Sequence, residues 1–331
     1  MKILIIRFSS IGDIILTTPV VRCLQQQTGA EIHYITKQSF ATLLVANPYI
    51  SKVIGVDTSQ KAALKATIPQ LQKETYDYVL DLHKNWRSAS IRRHLKAPAA
   101  VFDKLTWQKF LLTQFHINKM PDLHIVDRYM AAAQCFFDIK NDGLGLDHFI
   151  PPSEYLPCQE ADKQLVTQQY ICLVVGAAHF TKRIPVHKLA EICNQTTQTV
   201  VLIGGKSEIK LGEAVKNDTT NLNVINLCGK LNLHQSAAII DQSNLVIAPD
   251  TGMMHIAAAL QKKVISVWGS TTPNLGVFPY LPATAPTPVV IENTSLKCRP
   301  CHKYGKKACP KGHFKCMLDL NVAEVIDAGN L

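Results

Sequence analysis

Residues 250–255 bring a carboxylate (Asp250), a hydroxyl (Thr251), a glycine (Gly252) and an imidazole (His255) into one short turn. The run before it, 245–248, is short and uniformly apolar, as a strand buried on both faces is, and Pro249 ends it. Beyond it, His255, Ile256, Ala259 and Leu260 recur at helical spacing, with Asp250 or Thr251 available to cap the first turn. A helix that starts at the carboxyl end of a parallel strand aims free N–H groups and a partial positive charge at the crevice where open α/β sheets bind ligands. Gly252 lets a ligand approach the backbone closely, and a phosphate suits such a turn. The same residues also fit an ordinary strand–helix loop, so other stretches have to decide.

A second carboxylate stands near the amino terminus. Ser9-Ser-Ile-Gly-Asp13 follows a strand predicted over 2–8 and leads into an apolar-periodic helix over 14–24, so Asp13 sits at the turn as either a helix cap or a base facing the crevice. Its spacing is not that of a dinucleotide fingerprint. Residues 204–207, Gly-Gly-Lys-Ser, resemble the end of a P-loop, but Val200 stands where that motif needs glycine, which excludes the triphosphatase reading. Glu208, just beyond, is placed either to accept from ribose hydroxyls or to solvate a helix start. Near the end, Cys298, Cys301, Cys309 and Cys316 are interspersed with His302 and His313. The C-x-x-C pair is half of a zinc site; the second pair, six residues apart, is not the usual knuckle, so reduced thiols are preferred to a structural zinc at these four cysteines.

The elements that must position these groups alternate. Strands are predicted over 31–36, 53–57 and 76–82, with a helical segment over 40–46, another over 60–73 apart from Pro69, and a basic helix carrying Arg92 and Arg93. Pro151, Pro152 and Pro157 mark a linker over 148–157. Beyond it strands recur over 170–175, 199–203, 223–227 and 264–268, with helices after Pro185 and over 233–241. The pattern predicts α/β architecture: two doubly wound parallel-sheet domains, 1–157 and 158–331, with strand ends facing a central cleft.

At 331 residues, 47% of them apolar and 18% charged, the chain has enough apolar surface for two cores and too little charge for disorder. Only four uninterrupted apolar residues precede Arg7, and no run approaches the roughly 20 needed to span a bilayer, so a cytoplasmic protein, able to associate peripherally with a membrane, is expected. The net charge of +10 is uneven: residues 84–109 hold seven basic side chains against Asp103, and 297–315 hold seven against none. Such runs are either solvated faces or sites for polyanions, namely nucleic acid, anionic headgroups or phosphorylated sugars.

Three separated stretches, Arg7-Phe-Ser-Ser-Ile-Gly-Asp13, Lys182-Arg-Ile-Pro185 and Asp250-Thr-Gly-Met-Met-His255, together resemble glycosyltransferase family 9, the heptosyltransferases of lipopolysaccharide core assembly. Gly269-Ser-Thr-Thr-Pro273 and the cysteine-rich ending extend the resemblance over nearly the whole chain, most like the heptosyltransferase II branch. It implies a GT-B fold of two Rossmann-like domains, an amino-terminal one for a lipid-linked phosphorylated acceptor and a carboxyl-terminal one for ADP-heptose, with no cofactor needed for catalysis. It implies that Asp13 is the general base of an inverting transfer and that Lys182 balances the leaving diphosphate, helped by the N–H groups of Thr251 and Gly252. By the same resemblance Asp250 binds donor hydroxyls, Glu208 the ribose, and His255 the turn or a phosphate. Ser9 and Ser10 line the acceptor side, and Arg87, Arg92 and Arg93 are candidates for acceptor phosphates. The chain departs from the family pattern on the donor side, with Ile184 where tryptophan is usual and Thr272 where aspartate often precedes proline.

Two rival readings remain open at this point. One is a transferase that uses another nucleotide sugar for a surface polysaccharide. The other, built on the basic cysteine-rich end, is a zinc-dependent nucleic-acid-binding protein; sparse aromatics and the lack of a recognition helix weigh against it, so no nucleic-acid partner is expected.

Overall fold

The computed structural model of the chain describes residues 1–59 and 61–331 and, of Lys61, the backbone alone. It divides into two compact units: Met1–Lys104 with Leu123–Phe149, and Leu105–Asp122 with Ile150–Leu331.

The first unit is built on five parallel strands, β1 (Lys2–Ile6), β2 (Glu31–Lys37), β3 (Lys52–Val56), β4 (Tyr78–Asp81) and β5 (Ala99–Val101), in the order β3-β2-β1-β4-β5. Ile3, Leu4, Ile5 and Ile6 are wholly buried, which is what a central parallel strand covered on both faces requires. Helices Thr18–Thr28, Lys61–Lys73, Trp86–Leu95 and Ile125–Ala133 belong to this unit.

Several expectations are corrected here. The single helix expected over 14–24 is two, Ile11–Ile15 and Thr18–Thr28. Pro19 lacks the N–H that an unbroken helix would need, but it is tolerated in the first turn of the second helix; the Thr17 hydroxyl donates to the Ile14 carbonyl (2.7 Å) at the break. The segment expected to be α-helical over 40–46 is a 3-10 helix, Gln38–Leu44, with Pro48 leaving no length for α-helical propagation. Helix Lys61–Lys73 runs through Pro69, carried by the burial of Leu64, Ile68 and Leu71; the Gln60 start of that prediction lies outside the described residues.

The second unit holds six parallel strands, β6 (Tyr170–Val174), β7 (Thr199–Ile203), β8 (Val224–Asn226), β9 (Leu245–Pro249), β10 (Lys263–Trp268) and β11 (Val289–Glu292), in the order β11-β10-β9-β6-β7-β8. Along β6, Ile171 and Leu173 join one apolar cluster while Tyr170, Cys172 and Val174 join another, so both faces of the sheet are covered. The short strands β5 and β11 were not foreseen. The proline-rich stretch belongs to this unit: Asn232 donates to Glu154 (2.8 Å) and Tyr155 donates to Asp241 (3.0 Å). Leu105–Asp122 also belongs to it, so the chain passes between the units after residues 104, 122 and 149.

In both sheets the order of strands reverses partway across, between β1 and β4 in the first and between β6 and β9 in the second. Crevices outside the carboxyl ends of strands at such reversal points are where open α/β sheets hold ligands.

Candidate functional site

In the first unit the candidate groups gather at its reversal point. Helix Ile11–Ile15 begins at Ser10, whose backbone N–H (2.9 Å) and hydroxyl (3.0 Å) both donate to Asp13 Oδ2. The other carboxylate oxygen, Oδ1, pairs with Arg7 Nη2 at 2.7 Å. Asp13 is therefore a cap and an ion-pair partner at once, with 29% of its side chain still exposed. Burial alone would raise its pKa, but the Arg7 charge and the Ser10 hydrogen bonds outweigh it and hold the carboxyl at about 2.

Arg7 follows β1 directly and is itself buried. Its Nε donates to the Ser9 carbonyl (2.8 Å) and its Nη1 to the Leu82 carbonyl (2.6 Å) and the Tyr129 hydroxyl (2.9 Å), and its guanidinium lies 5.7 Å from the Tyr129 ring centre. Burial opposes its charge, yet the net shift is upward, so Arg7 stays cationic. It stood inside a quoted motif but no sequence signal singled it out, because its partners come from Leu82 and Tyr129, distant in the chain. His83 was likewise missed. It follows β4, packs edge-on against Phe8 (5.3 Å between ring centres), and its Nδ1 has no hydrogen-bond partner among the described residues. Burial first, then the Arg7 charge, pushes its pKa down to about 3, so the ring is neutral at ordinary pH.

The three arginines expected on the acceptor side differ. Arg92 Nε pairs with the buried Asp81 at 2.9 Å, and Asp81 also accepts from the N–H groups of His83 (3.0 Å) and Lys84 (2.7 Å); the cation of Arg92 thus fixes the turn after β4. Arg87 lies 4.6 Å from the Trp86 ring centre, and Arg93 is exposed. Ser9 is half-buried and Ser10 exposed.

In the second unit Lys182 and Asp250 meet. Lys182 ends a 3-10 turn, Phe180–Lys182, in the loop after β6; Asp250 follows β9 directly. Their charged atoms are 2.7 Å apart and both side chains are mostly buried. The Thr271 hydroxyl, from the loop after β10, donates to the same Asp250 oxygen at 2.8 Å. Helix Gly252–Ala259 starts with Thr251 at its cap position, yet no side chain caps it, and the buried Thr251 hydroxyl has no hydrogen-bond partner among the described residues. The expected cap by Asp250 or Thr251 is therefore not made: Asp250 is engaged by Lys182 and Thr271 instead. An uncapped helix start beside a lysine presents N–H donors, a hydroxyl and a cation, which is a donor set for an anion. His255 is buried one turn into that helix.

Glu208 follows β7. It accepts from the Gly205 N–H (3.0 Å) and the Ser207 hydroxyl (2.7 Å), with Arg183 at 4.0 Å. A methyl group at Gly176 would lie 2.3 Å from Glu208 Cγ, so only glycine allows this carboxylate to lie across the end of β6.

The cysteine-rich ending packs beneath the Lys182 turn. Thr181 accepts at its hydroxyl from the Lys306 N–H (2.8 Å), shares a 2.7 Å hydrogen bond with the Ser270 hydroxyl, and its carbonyl accepts from the Ser270 N–H (3.2 Å). Arg299 donates to the carbonyls of Gly269, Trp268 (3.1 Å), Thr271 (2.9 Å) and Asn293 (2.7 Å) and to the Glu292 carboxylate (2.8 Å). It was not foreseen; only the fold reveals that one guanidinium holds the loop that carries Thr271. All ten cysteines are free thiols. Cys298, Cys301, Cys309 and Cys316 line one small cavity with His313, whose Nε2 is 3.7 Å from Cys298 Sγ. Burial pushes the Cys301 thiol up and that of Cys316 up to about 11. Among the described residues no three His, Cys, Asp or Glu side chains are arranged to hold a metal ion.

Known proteins resemble this chain over nearly its whole length. Lipooligosaccharide heptosyltransferase 2 of Haemophilus influenzae is 27% identical, over 97% of this chain and 96% of its own length. Among solved structures, a glycosyltransferase family 9 protein from Veillonella parvula superposes with a TM-score of 0.78 at 22% identity, covering 99% of this chain and 96% of that one. The ADP-heptose lipopolysaccharide heptosyltransferase II of Escherichia coli gives 0.73 at 21% identity, covering 100% and 98%. The fold shared with these structures is GT-B, two Rossmann-like units in tandem. The sequence profile of glycosyltransferase family 9 (heptosyltransferase) matches residues 65–311, three quarters of the chain, and the chain belongs to that family.

Proposed function

We propose that this glycosyltransferase moves heptose from ADP-heptose to a phosphorylated, lipid-linked acceptor of the lipopolysaccharide inner core, with inversion at the anomeric carbon, on the cytoplasmic face of the inner membrane. The observation that carries the reading is the Lys182–Asp250 pair beside an uncapped helix start. That cation and those N–H groups suit a diphosphate that gains charge as it leaves, so the reading assigns charge balance to Lys182 and needs no divalent ion. Asp250 and Glu208 take hydroxyls of the donor sugar and ribose, and the second unit is the donor half.

The first unit is the acceptor half. An acceptor hydroxyl oxygen forms the new bond to the anomeric carbon, the bond to the diphosphate oxygen breaks with its electron pair, and the hydroxyl proton passes to Asp13. A carboxylate held at about 2 is a weak base towards a free alcohol. It suffices once the oxygen has begun to bond to an oxocarbenium-like carbon, because that oxygen is by then strongly acidic; proton transfer is therefore late. Arg87 and Arg93 meet acceptor phosphates, Ser9 and Ser10 flank the hydroxyl, and Arg92 positions the turn through Asp81. The four clustered thiols act as reduced packing groups.

The test is to incubate purified protein with ADP-heptose and a de-acylated, phosphorylated core acceptor and to follow ADP release and product mass. A product heavier by one heptose, with inverted anomeric configuration, supports the proposal; no acceptor-dependent ADP release overturns it. Ile184 and Thr272, on the donor side, favour including other nucleotide sugars as competitors, and preferential turnover of one of them would establish the second transferase reading.

A further inference from the structure

Among the described residues, 105–123 expose more large apolar surface than any other short stretch: Trp107 (65% exposed), Phe110, Phe115 (60%), Ile117 and Leu123 all face solvent. The residues facing the other way, Leu105, Leu112 and Thr113, are buried, so the segment is amphipathic and fixed by one side. Its winding aligns the aromatics. Thr106–Phe110 is α-helical and Leu111–Phe115 is a π-helix. A π-helix brings residues five apart, rather than four, onto one face, which sets Phe115 under Phe110. The ring centres of Trp107 and Phe110 are 5.5 Å apart and stacked; those of Phe110 and Phe115 are 5.7 Å apart and edge-on. The result is one continuous ridge.

Charge around the ridge has one sign. Between Lys104 and Pro121 there are three lysines, Lys104, Lys109 and Lys119, with His116 and no carboxylate. The flanking carboxylates are Asp103, paired with Lys84 at 3.9 Å, and Asp122. A water-exposed aromatic patch bordered by lysines matches the chemistry of the lipid–water boundary: indole and phenyl rings enter the headgroup–acyl region, and ammonium groups reach back to anionic headgroups. No helix among the described residues is long and apolar enough to cross a membrane, so attachment by this ridge would be to one leaflet.

We propose that the ridge Trp107–Phe110–Phe115, with Lys109 and Lys119, is the surface by which this protein docks on an anionic phospholipid bilayer. The lipid-linked acceptor proposed above gives the docking its purpose; the docking itself is measured without any transfer reaction.

The test uses the full chain with vesicles of phosphatidylcholine alone or mixed with phosphatidylglycerol, followed by flotation. Wild-type protein should float with the anionic vesicles and release at high salt. The variant Trp107→Ser/Phe110→Ser/Phe115→Ser should bind at least tenfold more weakly, as should Lys109→Gln/Lys119→Gln, with turnover of a de-acylated acceptor unchanged in both. In a Trp86→Phe background, where the wholly buried Trp268 is the other tryptophan, the part of the emission lost with Trp107→Phe should shift to the blue on vesicle addition and be quenched by brominated lipid. Triple-variant binding equal to wild type, or Trp107 emission indifferent to vesicles, overturns the proposal. So does a triple variant that turns a dimer into a monomer while neither protein binds vesicles, which would make the ridge a contact between copies. If vesicle binding follows the ridge but no heptose is transferred by any variant, the docking surface stands and the transfer reading fails.

Discussion

Lys182 and Asp250 form a 2.7 Å ion pair across the reversal point of the second sheet, one from the loop after β6 and the other from the end of β9. Thr271 holds the aspartate from a third loop. A bound diphosphate would find the lysine already aimed and its flexibility already restricted, so less ordering is left to be done during the reaction.

Lys182→Ala should therefore weaken ADP binding and lower turnover by about 10²–10³-fold, the range of about 2.7 to 4 kcal/mol usual for losing one preorganised donor to developing charge. Removing the lysine also leaves the mostly buried Asp250 without its cation, so a diphosphate bound as proposed would meet a charge of its own sign. Isothermal titration with ADP and steady-state transfer rates check this; wild-type values in both would take Lys182 out of the site.

Asp13→Asn should keep ADP binding within about twofold and lower turnover by about 10²–10⁴-fold, the span of general-base effects. The amide can still meet Ser10, so folding is expected to survive the change. Near-normal transfer by this variant would transfer the base role elsewhere, with the neutral His83 beside it as the first group to examine.

The same carboxylate makes stability depend on acid pH. Its folded pKa, about 2, lies below the ordinary 3.8, so the Arg7–Asp13 pair stabilises the fold above pH 3.8 and that contribution is lost as pH falls towards 2. A shift of this size corresponds to about 2 kcal/mol. Denaturant midpoints of wild type and Asp13→Asn should differ at neutral pH and draw together as pH falls from 3.8 towards 2; a gap that stays constant across that range would mean that the pair is not what the variant removes.

Arg299→Lys should raise KM for the nucleotide sugar more than it lowers kcat, because one ammonium cannot satisfy four carbonyls and a carboxylate held by a planar five-donor group. The displaced loop carries Thr271, whose hydroxyl restrains Asp250. Thr271→Val, which removes only that last link, should reproduce the KM effect without loss of thermal stability. If Arg299→Lys lowers thermal stability and leaves KM unchanged, the arginine is a scaffold residue alone.

The strands and turns at the heart of both sheets were readable because a doubly covered parallel strand writes itself as an uninterrupted apolar run, as in Ile3–Ile6 and Leu245–Ala248, followed by turn residues. The chemistry-bearing turns after β1 and β9 were legible for the same reason, since glycine, aspartate and serine cluster there. Their partners were not. Arg7 draws on Tyr129, Arg92 on Asp81 and Arg299 on Glu292, and nothing in the spacing of one ion says which residue it meets. β5, only three residues long, and β11, after a proline-rich stretch, carry too short a pattern to separate from loop. The uncapped start of helix Gly252–Ala259 inverted a local expectation because tertiary partners claimed Asp250 first.

Because the chain leaves the first unit at residue 104, returns at 123 and leaves again at 149, neither half of this enzyme corresponds to one uninterrupted piece of sequence. A gene fragment starting at Ile150 would lack the Leu105–Asp122 piece of its own unit, and one ending at Phe149 would carry that piece with nothing of its unit to pack on. Splitting the protein into separately produced halves therefore calls for grafting that excursion onto the later fragment and replacing it in the earlier one by a linker between Lys104 and Leu123.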